Sequence, residues 1–109
     1  MDAQLKRGFL ELVVLSALKD EPSYGYKIIN DISNIIEISE STLYPILKRL
    51  QQKSYVNTYS EKHQSRLRKY YRITDLGRQE LLNAKDDFEE IKKLYDYILR
   101  WRRWVKKNS

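Results

Sequence analysis

The sequence predicts a mainly α-helical chain with one small β-hairpin. Apolar residues recur at helical spacing in four segments, and two β-rich runs lie next to each other between residues 55 and 73. A helical pattern without proline then extends from residue 74 to about residue 106. With 109 residues, the chain is long enough for one hydrophobic core and too short for two.

The composition excludes several functional classes. The chain has no Cys and a single His, His63, so disulfides, thiolate metal sites and Cys nucleophiles are ruled out. It also lacks a glycine-rich phosphate-binding loop, and we expect no enzymatic activity, no catalytic residue, no metal and no cofactor. No run of about 18 apolar residues occurs, so we expect no membrane partner. Without a signal-peptide pattern, the expected location is the cytoplasm.

The positive charge is concentrated in one segment. The formal net charge is +6, and residues 55–73 contain five cations against one acid, Glu61. Such a segment is either a solvated loop or the electrostatic footprint of an anionic partner such as nucleic acid. The five cations are Lys62, Arg66, Arg68, Lys69 and Arg72.

The first helix is predicted over residues 5–19. A helix that is apolar nearly all round is covered on more than one side, so we expect it to contact its own core and a further element. The predicted core stripe is Leu5, Phe9, Leu12, Val13 and Leu18. The apolar residues off that stripe are Leu10, Val14, Leu15 and Ala17.

The second helix is predicted from Tyr24 to Ile35, with Ser23 as its N-cap after a break at Pro22. Gly25 has no Cβ, which lets another backbone or a ligand come close to the start of this helix. The alternation over residues 36–38 is compatible with one short strand. The predicted core face consists of Ile28, Ile29, Ile32 and Ile35.

The third helix ends near Lys53 and has two different faces. Either Ser39 or Ser41 caps it, and Pro45 favours Ser41 because proline is tolerated in the first turn of a helix. The core face is Leu43, Ile46, Leu47 and Leu50. The opposite face is small, polar and basic and contains no acid; it consists of Ser41, Pro45, Lys48, Arg49 and Gln52.

The hairpin is predicted from two strands, residues 55–60 and 68–73, around a polar connector. Since the connector is long and contains no glycine, we expect no tight two-residue turn. The predicted inward-facing residues are Val56, Tyr71 and Ile73.

The last helix is predicted to begin at the N-cap Thr74 and to run unbroken to about Lys106. At 1.5 Å per residue it is roughly 45–50 Å long, too long for so small a core to cover. Its apolar residues alternate at spacings of three and four, which favours packing against a second copy of the helix in a homodimer. This seam consists of Leu81, Ala84, Phe88, Ile91, Tyr95, Ile98 and Trp101.

This order of elements is typical of a winged helix-turn-helix. Helices two and three form the helix-turn-helix and the hairpin forms the wing; the later helix enters the DNA major groove and the wing contacts phosphates. We therefore predict a winged helix-turn-helix DNA-binding domain over residues 1–74. A C-terminal dimerisation helix follows over residues 75–109.

Three motifs resemble the PadR family of bacterial transcriptional regulators. They are Tyr-Gly-Tyr-Lys-Ile at 24–28, Ser-Thr-Leu-Tyr-Pro-Ile-Leu-Lys-Arg-Leu at 41–50, and Arg-Lys-Tyr-Tyr-Arg-Ile-Thr-Asp-Leu-Gly-Arg at 68–78. A single C-terminal helix is similar to that of the small family members. The resemblance implies a homodimeric repressor on an inverted-repeat operator in double-stranded DNA, relieved by a small molecule or a stress signal.

The sequence departs from the family pattern in two places. Ser54 stands where the family usually has glycine, and a positive φ there would strain the backbone. The wing tip, residues 63–67, contains no glycine.

The matching positions imply DNA contacts at the start of helix two, along helix three and on the wing. Tyr26 and Tyr44 are equally compatible with aromatic residues at the edge of the core, and Tyr70 is more typical of strand packing than of base stacking. The implied DNA-binding residues are Tyr24, Tyr26, Lys27, Ser41, Thr42, Tyr44, Pro45, Lys48, Arg49, Arg66, Arg68 and Lys69.

The aromatic residues of the last helix leave two interpretations open. The resemblance implies a cavity at the dimer centre, near Phe88, that takes a flat apolar inducer, whereas simple interface packing explains Phe88 and Trp101 without a ligand and is the favoured interpretation. A DNA-binding regulator is the leading hypothesis for the whole chain. The alternative is a winged-helix adaptor that binds a protein and needs no basic surface.

Overall fold

The structure, a computed structural model, describes residues 2–108. The predicted fold class, mainly α with one hairpin and a long C-terminal helix, is confirmed. Within the described range, no helix is long and apolar enough to cross a membrane. The elements are α1 (Ala3–Ala17), α2 (Gly25–Ile32), α3 (Glu40–Gln52), β1 (Val56–His63), β2 (Arg66–Ile73), α4 (Asp75–Ile98) and α5 (Arg100–Asn108).

The core lies where the first three helices meet the hairpin. The predicted inward face of the hairpin is confirmed, because Val56, Tyr71 and Ile73 are buried. The predicted core face of α3 is confirmed as well, with exposed fractions between 0 and 2%. It consists of Leu43, Ile46, Leu47 and Leu50.

Of the core stripe predicted for the first helix, only Leu18 enters the core, because α1 turns a different face inward. Leu5 is exposed, and Phe9, Leu12 and Val13 line an open groove beside α4. Both stripes are apolar, so spacing alone does not choose between them; the positions of α2, α3 and α4 do. The residues that enter the core are Leu10, Val14, Leu15 and Leu18.

The start of α1 also lies earlier than predicted. The Asp2 carboxylate accepts hydrogen bonds from the amides of Gln4 and Leu5 at 3.0 and 3.1 Å. A capping side chain of this kind satisfies amides that have no partner within the helix. The helix consequently begins at Ala3 and ends at Ala17.

The predicted N-cap of α2 is wrong. Tyr24 occupies the N-cap position and makes no side-chain capping bond. Ser23 is buried and exchanges two backbone hydrogen bonds with Tyr71, at 3.0 and 2.7 Å. Pairing with the free edge of β2 thus fixes this part of the backbone and takes Ser23 away from the helix start.

The end of α2 and the segment after it also differ from the prediction. α2 ends at Ile32, and Ile35 is exposed instead of facing the core. Residues 36–38 form no strand. Ile36 and Ile38 pack against the core from a loop, so their alternation with Glu37 reflects alternating burial without strand pairing.

Ser39, and not Ser41, is the N-cap of α3. Its backbone is extended, and its hydroxyl accepts a hydrogen bond from the amide of Thr42 at 3.3 Å. The helix continues through Pro45. Proline removes only the bond to the carbonyl of Ser41, and because Ser41 is exposed, water can satisfy that carbonyl.

α3 ends in a Schellman motif centred on a serine. The amide of Tyr55 donates to the carbonyl of Leu50 at 2.9 Å, and the amide of Ser54 donates to that of Gln51 at 3.0 Å. Ser54 has φ 63°, the left-handed conformation that glycine adopts most easily. Ser54 therefore has the positive φ that the family's glycine at this position suggested.

The hairpin closes in a two-residue turn, which contradicts the prediction of a long connector. β1 and β2 pair in antiparallel register from Val56↔Ile73 to His63↔Arg66. Gln64 and Ser65 have φ 51° and 67°, as in a type I′ turn. The turn costs about 1 kcal/mol or more per residue, and the eight-pair ladder that it closes offsets this cost.

The last helix is divided in two, so the prediction of one unbroken helix is wrong at Leu99. Leu99 has φ −81° and ψ −1° and separates α4 from α5. The amide of Arg102 donates to the carbonyl of Leu99 at 3.1 Å, a tightening of the kind seen in a 3₁₀ turn. Neither proline nor glycine lies here, so the sequence contains no signal for the break.

The start of α4 is attached firmly to the core. Thr74 is the N-cap, as predicted, and its hydroxyl accepts a hydrogen bond from the amide of Gly77 at 3.0 Å. A Cβ at Gly77 would collide with the carbonyl oxygen of Tyr55 and lie 2.9 Å from a side-chain carbon of Ile73. Glycine therefore allows α4 to pass directly over the end of α3.

Replacing Ser54 with glycine is expected to stabilise the protein. Ser54→Gly removes the steric cost of a Cβ at positive φ, and we expect a gain of about 1 kcal/mol, a rise in Tm of about 4–8 °C. Thermal denaturation followed by circular dichroism measures this. Ser54→Ala keeps the Cβ and is the control; an equal gain in both variants would contradict the explanation.

Candidate nucleic-acid interface

The face of α3 opposite the core is open to solvent. Ser41, Thr42, Pro45 and Lys48 are exposed, and within residues 2–108 no carboxylate forms an ion pair with Lys48. A helix with one buried face and one exposed face that can donate hydrogen bonds meets the geometric requirement for insertion into a major groove.

Tyr44 lies at the border between α3 and α2. Its ring is exposed on one side, and its hydroxyl lies so close to Gly25 that a Cβ there would be 2.7 Å away. The close approach at Gly25 is therefore made by this side chain, and not by the backbone or ligand expected from the sequence. Tyr26, one residue further along α2, is exposed.

Arg49 is bound within the protein. Its Nε donates to the Glu11 carboxylate on α1 at 2.7 Å, and Lys53 Nζ donates to the same carboxylate at 2.9 Å. The Glu11 side chain is only 14% exposed. Partial burial opposes its charge, but the two hydrogen bonds outweigh burial and hold the pKa of Glu11 below its usual range. Arg49 and Lys53 therefore attach the end of α3 to α1, and the Glu11 carboxylate offsets part of their positive charge.

Lys27 also has internal partners. Its Nζ donates to Asp31 at 2.8 Å and lies 3.9 Å from Glu21. The hydrogen bond to Asp31 raises the pKa of Lys27, so the ammonium stays charged. Two neighbouring carboxylates nevertheless reduce the positive potential that it contributes to the surface.

The wing has cations on both of its faces. Arg66 at the turn and Lys69 further along β2 are exposed. On the outer face, the Arg68 guanidinium lies 3.9 Å from the centre of the Tyr24 ring. That of Arg72 lies 4.6 Å from the centre of the Tyr59 ring. Tyr24 and Arg68, predicted as separate DNA contacts, therefore touch each other.

The sequence-predicted DNA residues fall into two groups. Eight are exposed, although Ser41 and Thr42 hydrogen-bond to Ser39 and Lys69 lies over the Tyr71 ring. The other four are less exposed and contact other side chains; they are Tyr24, Lys27, Arg49 and Arg68. Sequence reasoning missed Glu11 and the Tyr59–Arg72 contact. The alternation of Arg68, Tyr70 and Arg72 on β2 was the available signal for the Tyr59–Arg72 contact. No local pattern links Glu11 to Arg49 and Lys53, which lie 38 and 42 positions further along the chain. The exposed group is Tyr26, Ser41, Thr42, Tyr44, Pro45, Lys48, Arg66 and Lys69.

The apolar seam of α4 changes its surroundings along the helix. Ala84 is buried and Leu81 packs against the core. The Phe88 ring stacks on Phe9 of α1 with centroids 5.3 Å apart. Beyond Phe88, the seam residues are between 46 and 64% exposed. The exposed part of the seam consists of Ile91, Tyr95, Ile98 and Trp101.

α5 continues the exposed surface in an amphipathic form. Its two tryptophans, Trp101 and Trp104, are the only ones in the chain and lie with Val105 on one face. Five cations and no acid occupy the rest of the helix. These cations are Arg100, Arg102, Arg103, Lys106 and Lys107.

Comparison with protein families supports a nucleic-acid interface on this chain. The model of the transcriptional regulator PadR-like family matches residues 14–83, well over half of the chain. The chain belongs to the PadR-like family of transcriptional regulators. It is also 34% identical over 98 residues to an uncharacterised protein of Lysinibacillus sphaericus, with 85% of this chain and 90% of that protein covered.

Solved structures extend the comparison. This PadR-like chain is similar to a transcriptional regulator from Clostridium thermocellum, with a TM-score of 0.80, 29% identity, and 92% of this chain and 99% of that chain covered. It is also similar to Bacillus subtilis PadR in complex with operator DNA, with a TM-score of 0.62 and 25% identity over 68% of this chain and 45% of that chain. The winged-helix interpretation and the family resemblance are thereby confirmed.

The contact of Glu11 with α3 predicts a pH-dependent contribution to the stability of this PadR-like protein. Glu11→Gln is expected to lower the free energy of unfolding near neutral pH by about 1.5 kcal/mol, because two hydrogen bonds lose their charged acceptor. Since the folded-state pKa is lowered, this contribution is complete above about pH 4.5 and is lost as the pH falls through the folded-state value.

Urea denaturation from neutral to acidic pH measures the effect. The difference between wild type and Glu11→Gln should shrink as the pH falls below about 4.5. Glu90→Gln, on the exposed surface of α4, is the matched control and should change little at any pH. A difference that stays constant across the range would contradict the ion-pair explanation.

Proposed function

We propose that this PadR-like chain is a sequence-specific DNA-binding repressor whose α3 enters the major groove. The observation that carries the proposal is the exposed, acid-free face of α3 around Ser41, Pro45 and Lys48, opposite a fully buried face. Such a face offers hydrogen-bond donors to base edges and phosphates without a repelling carboxylate. Operator binding by the similar B. subtilis PadR supports the proposal.

The wing contributes contacts that do not depend on sequence. Arg66 and Lys69 extend from a short, strongly paired hairpin, so their charges are held near the DNA backbone at little entropic cost. Phosphate contacts of this kind weaken as salt rises. In this proposal, residues 1–74 form the DNA-binding domain of a protein acting in the cytoplasm.

Two copies of the chain bind an inverted-repeat operator in this proposal. The exposed seam at Ile91, Tyr95, Ile98 and Trp101 is a contiguous apolar surface of a kind that monomers rarely leave open. Its spacing of three and four residues suits a partner helix. Residues 75–109 thus hold the dimer together, while Leu81 and Ala84 also belong to the core of their own subunit.

A small molecule relieves repression in this proposal. An open groove of about 770 Å³ lies between α1, the end of α2 and α4. Its walls include Phe9, Leu12 and Phe88, which suit a flat apolar compound. Because α4 also carries the dimer seam, a ligand here is able to change how the two DNA-binding domains are spaced.

Selection from a random pool of duplex DNA tests the main proposal. The full-length protein should retain a palindromic sequence, and the affinity for this duplex should fall steeply as salt rises. Failure to enrich any sequence would overturn the proposal. Weak, salt-independent binding would favour the alternative of a winged-helix protein adaptor.

Lys48 is the best single residue for a test of the α3 face. Lys48→Ala is expected to weaken binding of the selected duplex about tenfold, and to reduce the salt slope of log K by about 0.9. Fluorescence anisotropy at several salt concentrations measures both quantities. Lys92→Ala, on the exposed surface of α4, is the control. Unchanged affinity of Lys48→Ala would mean that this face does not meet DNA.

The seam predicts a dimer that a single charge disrupts. Wild type should sediment as a dimer at micromolar concentration, and Ile98→Glu as a monomer, because a buried carboxylate without a partner is strongly unfavourable in an apolar interface. Lys93→Glu, on the opposite face of α4, should remain dimeric. Since both tryptophans lie in α5, their fluorescence gives a second readout of the same association. A monomeric wild type would refute the dimer.

A further inference from the structure

The outer face of the wing contains a continuous row of stacked side chains. Tyr59 and Tyr70 are opposite each other in the register, and their rings stack with centroids 5.2 Å apart and planes 9° apart. Arg72 covers Tyr59 on one side. At the other end, the Tyr24 and Tyr70 rings meet in a T-shaped contact with centroids 5.6 Å apart, and Arg68 covers Tyr24. We call these five residues the stacked row.

One member of the stacked row does not belong to the wing. Tyr24 is the N-cap of α2, in the helix-turn-helix. The residue before it, Ser23, is held to Tyr71 of β2 by two backbone hydrogen bonds. The backbone therefore brings Tyr24 to the edge of the hairpin, and its ring joins the helix-turn-helix to the outer face of the wing.

Arg68 lies over an aromatic ring and not beside an opposite charge: its Cζ is 3.9 Å from the centre of the Tyr24 ring. Glu61 lies across from it in the register, yet among residues 2–108 Arg68 forms no ion pair with any carboxylate. A guanidinium that lies flat on an aromatic ring keeps its N–H donors free at its edge. Those donors are arranged to bind a phosphate with two hydrogen bonds.

We propose that Tyr24 is a positioning residue, whose ring holds the Arg68 guanidinium in the orientation that binds a DNA phosphate. The inference rests on the proposed function and deepens it. Tyr24 acts through Arg68 and needs no contact of its own with DNA. The aromatic ring is required for this role and the hydroxyl is not. The distance between the phosphate held by the wing and the groove entered by α3 is then set by this contact.

The role predicts different effects for two substitutions at Tyr24. Tyr24→Phe keeps the ring, and its affinity for the selected duplex should stay within about twofold of wild type. Tyr24→Leu removes the stacking surface and should weaken binding by up to about tenfold. Arg68→Ala should weaken binding to a similar extent and reduce the salt slope by about 0.9. Arg68→Lys should resemble Arg68→Ala, because an ammonium does not stack flat on a ring.

A double-mutant cycle separates positioning from independent contact. Tyr24→Leu should have little further effect on affinity or on salt slope in the Arg68→Ala background. A second tyrosine–arginine contact, Arg100 over Tyr97 at 5.5 Å on the C-terminal helices, supplies the matched control. Tyr97→Leu should leave the affinity for DNA unchanged. If the losses of binding free energy caused by Tyr24→Leu and Arg68→Ala are additive in the double mutant, the proposal is overturned. It is also overturned if Tyr24→Phe binds the duplex as weakly as Tyr24→Leu does.

The stacking itself is measured without DNA. In the free protein, the Arg68 Nε–H resonance should show an upfield ring-current shift that persists in Tyr24→Phe and disappears in Tyr24→Leu. If Tyr24→Leu does not fold, the Arg68→Lys variant still tests the role of Tyr24. An Arg68→Lys variant that binds the duplex with wild-type affinity would show that no stacked guanidinium is required. If wild type binds no duplex, this role falls together with the proposed function. Wild-type binding without coupling overturns this role alone.

Discussion

Four aliphatic side chains on one face of α3 are almost completely buried against α1, α2 and the hairpin: Leu43, Ile46, Leu47 and Leu50. Each residue of an α-helix is rotated by about 100° from the previous one, so burying this face sets the direction of all others. Lys48 must then point to solvent, while Arg49, one residue later, turns to Glu11 on α1. The core thereby decides which cations of α3 are free.

The wing and the C-terminal helix depend on the same core in different ways. The pairing of Ser23 with Tyr71 and the contact of Tyr24 with Arg68 attach the wing to the helix-turn-helix. α4 is attached along its first half, through Gly77, Leu81 and Ala84 and then through the Phe88 ring on Phe9. Beyond Phe88, the core leaves the rest of the seam exposed, and the proposed function assigns this exposed part to a second copy of the chain.

The local errors of prediction have a shared cause. Residue patterns report average preferences, whereas long-range pairing can impose a rare conformation at one position. Gln64 and Ser65 adopt a glycine-like turn because the ladder on either side holds them there. Ser54 has a left-handed conformation because the chain must leave α3 and enter β1 directly. Ser23 pairs with β2 although its side chain favours a helix cap.

Amino-acid pattern alone was enough to identify the first three helices, the hairpin after them and the C-terminal helical region, although not the break at Leu99 or the absence of a strand at 36–38. It also identified the buried face of α3 and the inward side of the hairpin, because each is encoded by the spacing of neighbouring residues. It was also enough to recognise the family, through three motifs. Packing in three dimensions decided which apolar face of α1 enters the core, and which cations are paired. Those outcomes depend on residues that lie far apart in sequence, such as Glu11 with Arg49 and Tyr24 with Arg68, and no local periodicity encodes them.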